Sequence, residues 1–187
     1  MNADHLERLV GTLGGTTLKE RRDRALVLLL LSSGARVSEL LRLDRRDWSH
    51  NRLMLRGKGS RKRTVVVTSS ARKAVDEYLQ ARGKLGDPST ALFIGFQPAL
   101  TRASSKRLSA TGGRHVLQAI SRRAGIPPFH PHRLRDTFGS IVQRETGDPC
   151  FTAATLGYAD LRSIAGYLPK PADRRQSARK ALEAAGL

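Results

Sequence analysis

Apolar positions recur at helical spacing along most of the 187 residues. Leu6, Leu9, Val10 and Leu13 form one stripe, which predicts a helix over 2–13 ended by Gly14 and Gly15. Over 21–33 the C-terminal half is apolar nearly all round, as in a helix central to a core, and Gly34 suits its left-handed stop. A short third helix starts near Val37 and carries Glu39, Leu40 and Leu41, followed by a turn over 44–48. Alternation then replaces the helical period. Leu53 and Leu55 predict one half-buried strand and 64–67 a second, joined by the basic, glycine-punctuated link 57–62.

Helical spacing returns after Ser69 and Ser70, either of which can cap a helix with Ala74, Val75, Tyr78 and Leu79 facing inward. The stretch 92–94 predicts a short strand. The stretch 98–113, rich in Ser, Thr, Arg and Gly, predicts a surface loop. A helix over 114–124 follows, with Val116, Leu117 and Ile120 buried and Gly125 closing it. Pro127 and Pro128 force an extended approach to His132. The next helix, 133–145, carries Leu134, Phe138, Ile141 and Val142 on its apolar face and stops at Gly147. Two short helices, 151–156 and 161–167, precede Pro169 and Pro171. A final helix over 174–185 has a weak apolar face of Ala178, Ala181 and Leu182. The sum is a mainly α protein with a small antiparallel β-sheet, an α+β class.

Composition narrows the function. The net charge is +18, with 26 arginines among 34 basic residues, which points to a polyanionic partner, DNA or RNA ahead of an anionic membrane. Aromatics are 5%, too few for a base-stacking platform, so a binder of double-stranded DNA that tracks the backbone fits better. Cys150 is the only cysteine, which leaves no disulfide within the chain and no thiolate metal cluster. The apolar run 25–31 is too short to span a bilayer, and the N-terminus lacks the apolar core of a signal peptide. The expected location is the cytoplasm, at the nucleoid.

Five islands carry candidate chemistry. Arg36 lies just past a glycine at a helix junction, with Glu39 three residues on, close enough for a carboxylate to orient a guanidinium. Lys58 lies in a hairpin turn between glycines. Gly59 follows it in place of Ser or Thr, so it is not a nucleotide-binding P-loop lysine. His132 and Arg135 share one face at a helix start. A metal reading of His130 and His132 lacks further ligands at suitable spacing. Tyr158 and Tyr167, two of three tyrosines, are nine residues apart. Taken singly, each has an ordinary reading as a surface cation, a capping histidine or a half-buried tyrosine. Taken together they supply a nucleophilic phenol, two guanidiniums for phosphate oxygens, and an imidazole and ammonium to move protons, enough to attack a phosphodiester without a metal.

The islands Ser33-Gly34-Ala35-Arg36-Val37-Ser38-Glu39-Leu40, Gly57-Lys58-Gly59, His132-Arg133-Leu134-Arg135-Asp136-Thr137-Phe138-Gly139, Leu156-Gly157-Tyr158 and Tyr167 resemble, in that order, the catalytic domain of the tyrosine recombinases, the phage-integrase and Xer-like family. The resemblance runs from about His5 to at least Tyr167. It implies that Arg36 and Arg135 bind the scissile phosphate, that Lys58 protonates the leaving 5′-hydroxyl, that His132 assists as acid or base, and that Tyr167 forms a 3′-phosphotyrosine bond with no cofactor. Two positions depart from the family pattern. Tyr158 stands where a histidine is usual, although a phenol still donates a hydrogen bond, and Asp136 replaces a second frequent histidine. The resemblance further implies a homo-tetramer on two synapsed sites, monomeric when free. It implies a catalytic domain over 1–171 and a tail, 172–187, that docks in trans; the family's N-terminal clamping domain is expected to be absent. The basic residues Arg45, Arg46, Arg61, Lys62, Arg63, Arg122 and Arg123 are expected on the DNA-facing surface. Rival readings are a type IB topoisomerase, a catalytically silent DNA-binding relative, and a basic RNA-associated protein. The last explains the charge but not the islands.

Overall fold

The computed structural model describes residues 1–56, 62–96, 103–158 and 161–168. Lys58, Arg61 and the tail 172–187 lie outside them. Helix α1 (Ala3–Gly11) is capped by Asn2, whose side chain accepts the His5 amide, and it buries Leu9. Helix α2 (Leu18–Ser33) starts three residues before the expected 21. Thr17 accepts the Glu20 amide and Glu20 reaches back to the Thr17 amide, so two orphan donors of the first turn are satisfied reciprocally. Its Ala25, Leu26, Val27, Leu29 and Leu30 are all buried, and α2 packs against α4 (Ser69–Gly83) and α6 (His132–Thr146). It is the central helix that its apolar run predicts. Thr68, not Ser69 or Ser70, caps α4.

Helix α3 (Val37–Leu41) leads through a single 3-10 turn, Arg45–Asp47, to an antiparallel sheet in the order β1 (Trp48–Ser49), β2 (Arg52–Arg56), β3 (Lys62–Val66). Leu53 pairs with Val65 and Leu55 with Arg63, so one face of the ladder carries Leu53, Leu55, Arg63 and Val65 inward.

The region 98–113 departs from expectation. It contains strand β5 (Ala103–Arg107), paired antiparallel with β4 (Ile94–Phe96), and the first turn of α5 (Ala110–Arg123). Ser109 caps α5 by accepting the Gly112 amide at 3.0 Å. Gly113, which reads as a loop residue, is a contact point: a Cβ there would come within 3.1 Å of Leu41. Small residues that look like loop composition serve here to let α5 close on α3.

The remaining elements carry the site. Helix α6 ends at Gly147 in the left-handed conformation, and α7 (Pro149–Leu156) follows with Asp148 as its cap. A 3-10 segment, Leu161–Tyr167, packs back on α6 and α7. Among the described residues no helix is long and apolar enough to cross a membrane.

Candidate active site

Gly34 is the hinge on which the site is built. It takes φ +58°, and a Cβ would sit 2.4 Å from Phe138 of α6 and 2.9 Å from Leu156 of α7. Only glycine accepts both the conformation and the crowding. Its carbonyl then faces the interior and accepts from Arg135 Nη1 at 2.6 Å, while Leu156 O accepts from Arg135 Nη2 at 2.7 Å. Arg135 is 1% exposed, and its Nε has no hydrogen-bond partner among the described residues. Nor is any carboxylate paired with it there. Two neutral carbonyls fix the guanidinium without cancelling its charge.

Arg36 caps α3 and is 40% exposed at its side chain. Its backbone amide donates to Glu39 Oε2 at 2.8 Å, but its guanidinium reaches Glu39 Oε1 only at 3.4 Å. The main partner of Glu39 is Arg63, which donates to both carboxylate oxygens at 3.1 and 2.9 Å. Arg63 is 17% exposed at its side chain and its guanidinium packs on the backbone of Gly157. Arg63, one of the basic residues expected to face DNA, lies within the site beside Glu39. Strand alternation carried the signal, because Arg63 shares the inward face with Val65. Burial works against ionised Glu39, but the bidentate Arg63, with the Arg36 amide, holds its carboxyl below the usual carboxylate range.

The Tyr158 ring faces both Arg135 and Arg36, 4.7 Å from the Arg135 guanidinium carbon and 5.7 Å from that of Arg36. Tyr167 rests directly on α6: a Cβ on Gly139 would come within 3.0 Å of the ring. Tyr167 Oη donates to Asp136 Oδ1 at 2.9 Å, and the same oxygen lies 2.9 Å from His132 Nδ1. The two phenols are pushed apart. Burial, then hydrogen bonds with Tyr158 and Asp136, raise Tyr167 well above the ordinary tyrosine value. Burial also acts to raise Tyr158, but hydrogen bonds from Arg135 and Tyr167 and the charges of Arg135 and Arg36 outweigh it and lower that phenol.

The structure therefore brings Arg36, Glu39, Arg63, Arg135, His132, Tyr158 and Tyr167 to one place and adds Asp136. In the sequence Asp136 stands out only as a departure from the family pattern, although its spacing of four from His132 on α6 puts the two on one face. The other basic positions divide. Arg46, Lys62 and Arg122 are exposed. Arg45 is half-buried and donates to Asp87 O at 2.6 Å, and Arg123 donates to Thr12 O at 2.6 Å. These two fasten loops as well as adding charge.

A helical body with small antiparallel sheets is the fold of a tyrosine recombinase catalytic domain. The crystal structure of XerA recombinase superposes with a TM-score of 0.78 at 24% identity, covering 96% of this chain and 64% of that one. XerH site-specific recombinase bound to a palindromic difH substrate, a post-cleavage complex, gives 0.77 at 20% identity, covering 98% of this chain and 53% of that one. The chain belongs to the phage integrase family, whose pattern it matches over residues 1–173. The tyrosine recombinase XerC of Pseudomonas aeruginosa is 35% identical over 153 residues, covering 79% of this chain and 47% of that protein. XerC of Staphylococcus aureus is 29% identical over 167 residues, covering 88% and 54%. The chain thus spans about half the length of the curated relatives it matches.

Proposed function

We propose that this chain is the catalytic domain of a site-specific DNA recombinase that cleaves and rejoins duplex DNA through a 3′-phosphotyrosine intermediate. The observation that carries this is the buried Arg135, held by two carbonyls and paired with no carboxylate among the described residues, against the Tyr158 ring that Arg36 also faces. A cation fixed in place and left unneutralised is an anion seat, and a phosphodiester is the anion that family membership indicates.

In this reading Arg36 and Arg135 hold the nonbridging oxygens, and Tyr158 adds a hydrogen bond to one of them. Tyr167 attacks phosphorus. Lys58, which lies outside the described residues, protonates the 5′-oxygen as it leaves. Glu39 holds Arg63 and the Arg36 backbone, so it fixes the floor of the seat. The chemistry asks for no metal or nucleotide, because the phosphotyrosine bond keeps the energy of the broken phosphodiester for rejoining. Exposed Arg46, Lys62 and Arg122 extend the positive surface along the backbone. We further propose a catalytic unit over 1–171, a tail over 172–187 that docks on a neighbouring protomer, and a tetramer on two synapsed sites.

The test is a pool of nicked duplexes with randomised flanks, in which a cut releases a short fragment and traps the covalent product. In chelator-containing buffer the wild type is expected to form a detergent-resistant protein–DNA adduct that Tyr167→Phe lacks. Equal adduct from Tyr167→Phe would overturn the phosphotyrosine assignment.

A further inference from the structure

We propose that Asp136, resting on the phosphotyrosine reading above, is a catalytic residue that holds the Tyr167 phenol and accepts its proton during attack. Tyr167 Oη donates directly to Asp136 Oδ1 at 2.9 Å, and among the described residues Asp136 is the only carboxylate that receives it. His132, expected to manage the phenol proton, instead meets the same oxygen through Nδ1 at 2.9 Å. A neutral imidazole satisfies that contact by donating Nδ1–H, which leaves Nε2 as its free ring nitrogen. His132 is therefore a positioning residue for Asp136. It meets Oδ1 from one side while Tyr167 donates to that same oxygen.

The surroundings fit a working base. The Asp136 side chain is 46% exposed, so it is open to solvent and can exchange a proton with it. Its neighbours are His132 and Arg133 on α6, the Met1 amino group from the chain start, and Tyr167 from the 3-10 segment. Tyr167 in turn faces Tyr158, behind which stand Arg135 and Arg36. A free carboxylate is a far weaker base than a phenolate, so complete transfer before attack is unfavourable. Transfer concerted with attack is favourable, because the phenolic oxygen loses basicity as it bonds to phosphorus. The step balances. The Tyr167 O–H bond breaks and its proton passes to Asp136. The Tyr167 O–P bond forms and the P–O5′ bond breaks, with the 5′-oxygen protonated by the Lys58 ammonium. In rejoining, the 5′-hydroxyl bonds to phosphorus and gives its proton to the Lys58 amine, the phosphotyrosine bond breaks, and Asp136 returns its proton to the Tyr167 oxygen.

Two measurements on the full chain test this. The first needs no DNA: the Tyr167 phenol is titrated by NMR with ring-labelled tyrosine, assigned by its loss in Tyr167→Phe. Asp136→Asn, which keeps the shape and removes the charge, should lower that titration by about one pH unit. The second is single-turnover adduct formation on the nicked duplexes against pH. Asp136→Asn should slow it by about 100-fold. Asp136→His restores a base and should recover much of the rate. Its rate should fall as pH drops below about 6.5, where the wild type, relying on a carboxylate, still reacts. A Tyr167 titration unchanged by Asp136→Asn overturns the contact. A wild-type rate and pH profile in Asp136→Asn overturns the proton transfer. A wild type that forms no adduct on any duplex overturns the phosphotyrosine reading itself, and the titration then still decides whether Asp136 holds the phenol.

Discussion

Arg82 and Arg135 are both buried, at 0% and 1% exposure, yet they are solved in opposite ways. Arg82 on α4 spends every donor group: Nε on the Asp87 carboxylate, Nη1 on Ala91 O and Leu92 O, Nη2 on Ser89 O. It is a charge cancelled by a carboxylate and a loop wrapped around a guanidinium. Arg135 has two carbonyls, an orphaned Nε and a tyrosine ring. A buried cation without a counter-anion is costly, and protein interiors pair such charges. The first arginine is therefore architecture, and the second, in the reading proposed above, is the seat for an anion.

That contrast can be broken in several places. Removing the Arg82 side chain leaves the buried Asp87 carboxylate with the Ser89 amide and an Arg45 no nearer than 3.9 Å. Arg82→Ala should cost about 3–5 kcal/mol of stability in chemical denaturation, with or without DNA present. A loss under 1 kcal/mol would mean the clasp is ornamental. Arg36→Ala acts on the other side. Its side chain is part-exposed and weakly tied, so folding should hold while adduct formation falls about 100- to 1000-fold, the scale of one lost donor to developing charge.

Glu39 sharpens the comparison, because it is the carboxylate that neutralises Arg63 and spares Arg135. Glu39→Gln should cost about 1.5–3 kcal/mol at neutral pH, the range for hydrogen bonds to charged groups. The sign with pH follows from its lowered pKa. The stabilisation is present above the ordinary glutamate value, about 4.3, and is lost as pH falls through the depressed folded value. The gap in stability between wild type and Glu39→Gln should therefore close in acid. A gap independent of pH would assign the effect to packing. The smallest change is expected from Tyr158→Phe. It keeps the ring against both guanidiniums and removes one hydroxyl, for a slowing of about two- to tenfold, or 0.5–1.5 kcal/mol.

Most of the fold was legible because it depends on local pattern. The all-apolar half of α2, the left-handed Gly34 and Gly147, and the alternation of Leu53 and Leu55 each follow from residues a few positions apart. The misreading at 98–113 came from treating Ser and Gly as loop markers, where Ser109 is a helix cap and Gly113 a packing contact. The site was legible as a set of islands but not as a geometry. Glu39 lies three residues from Arg36 and 24 from Arg63, and the distant partner holds it more firmly. The inward face of β3 offered that clue. Asp136 escaped because, among the recognised islands, it is a departure, and its value lies in Tyr167, 31 residues away.

Tyr158 faces the arginines and Tyr167 lies beside it; of the two phenols, the Tyr158 hydroxyl is lowered below the ordinary tyrosine value and that of Tyr167 is raised. The most direct measurement is to digest the trapped covalent adduct and locate the nucleotide by mass spectrometry. Tyr167 rests on α6 against Asp136, whereas the Tyr158 ring is stacked toward the arginines as part of the seat. The nucleotide should be found on Tyr167 alone, linked through a 3′-phosphate. A nucleotide on Tyr158, or a 5′-phosphate link on either residue, would contradict the assignment of seat and nucleophile.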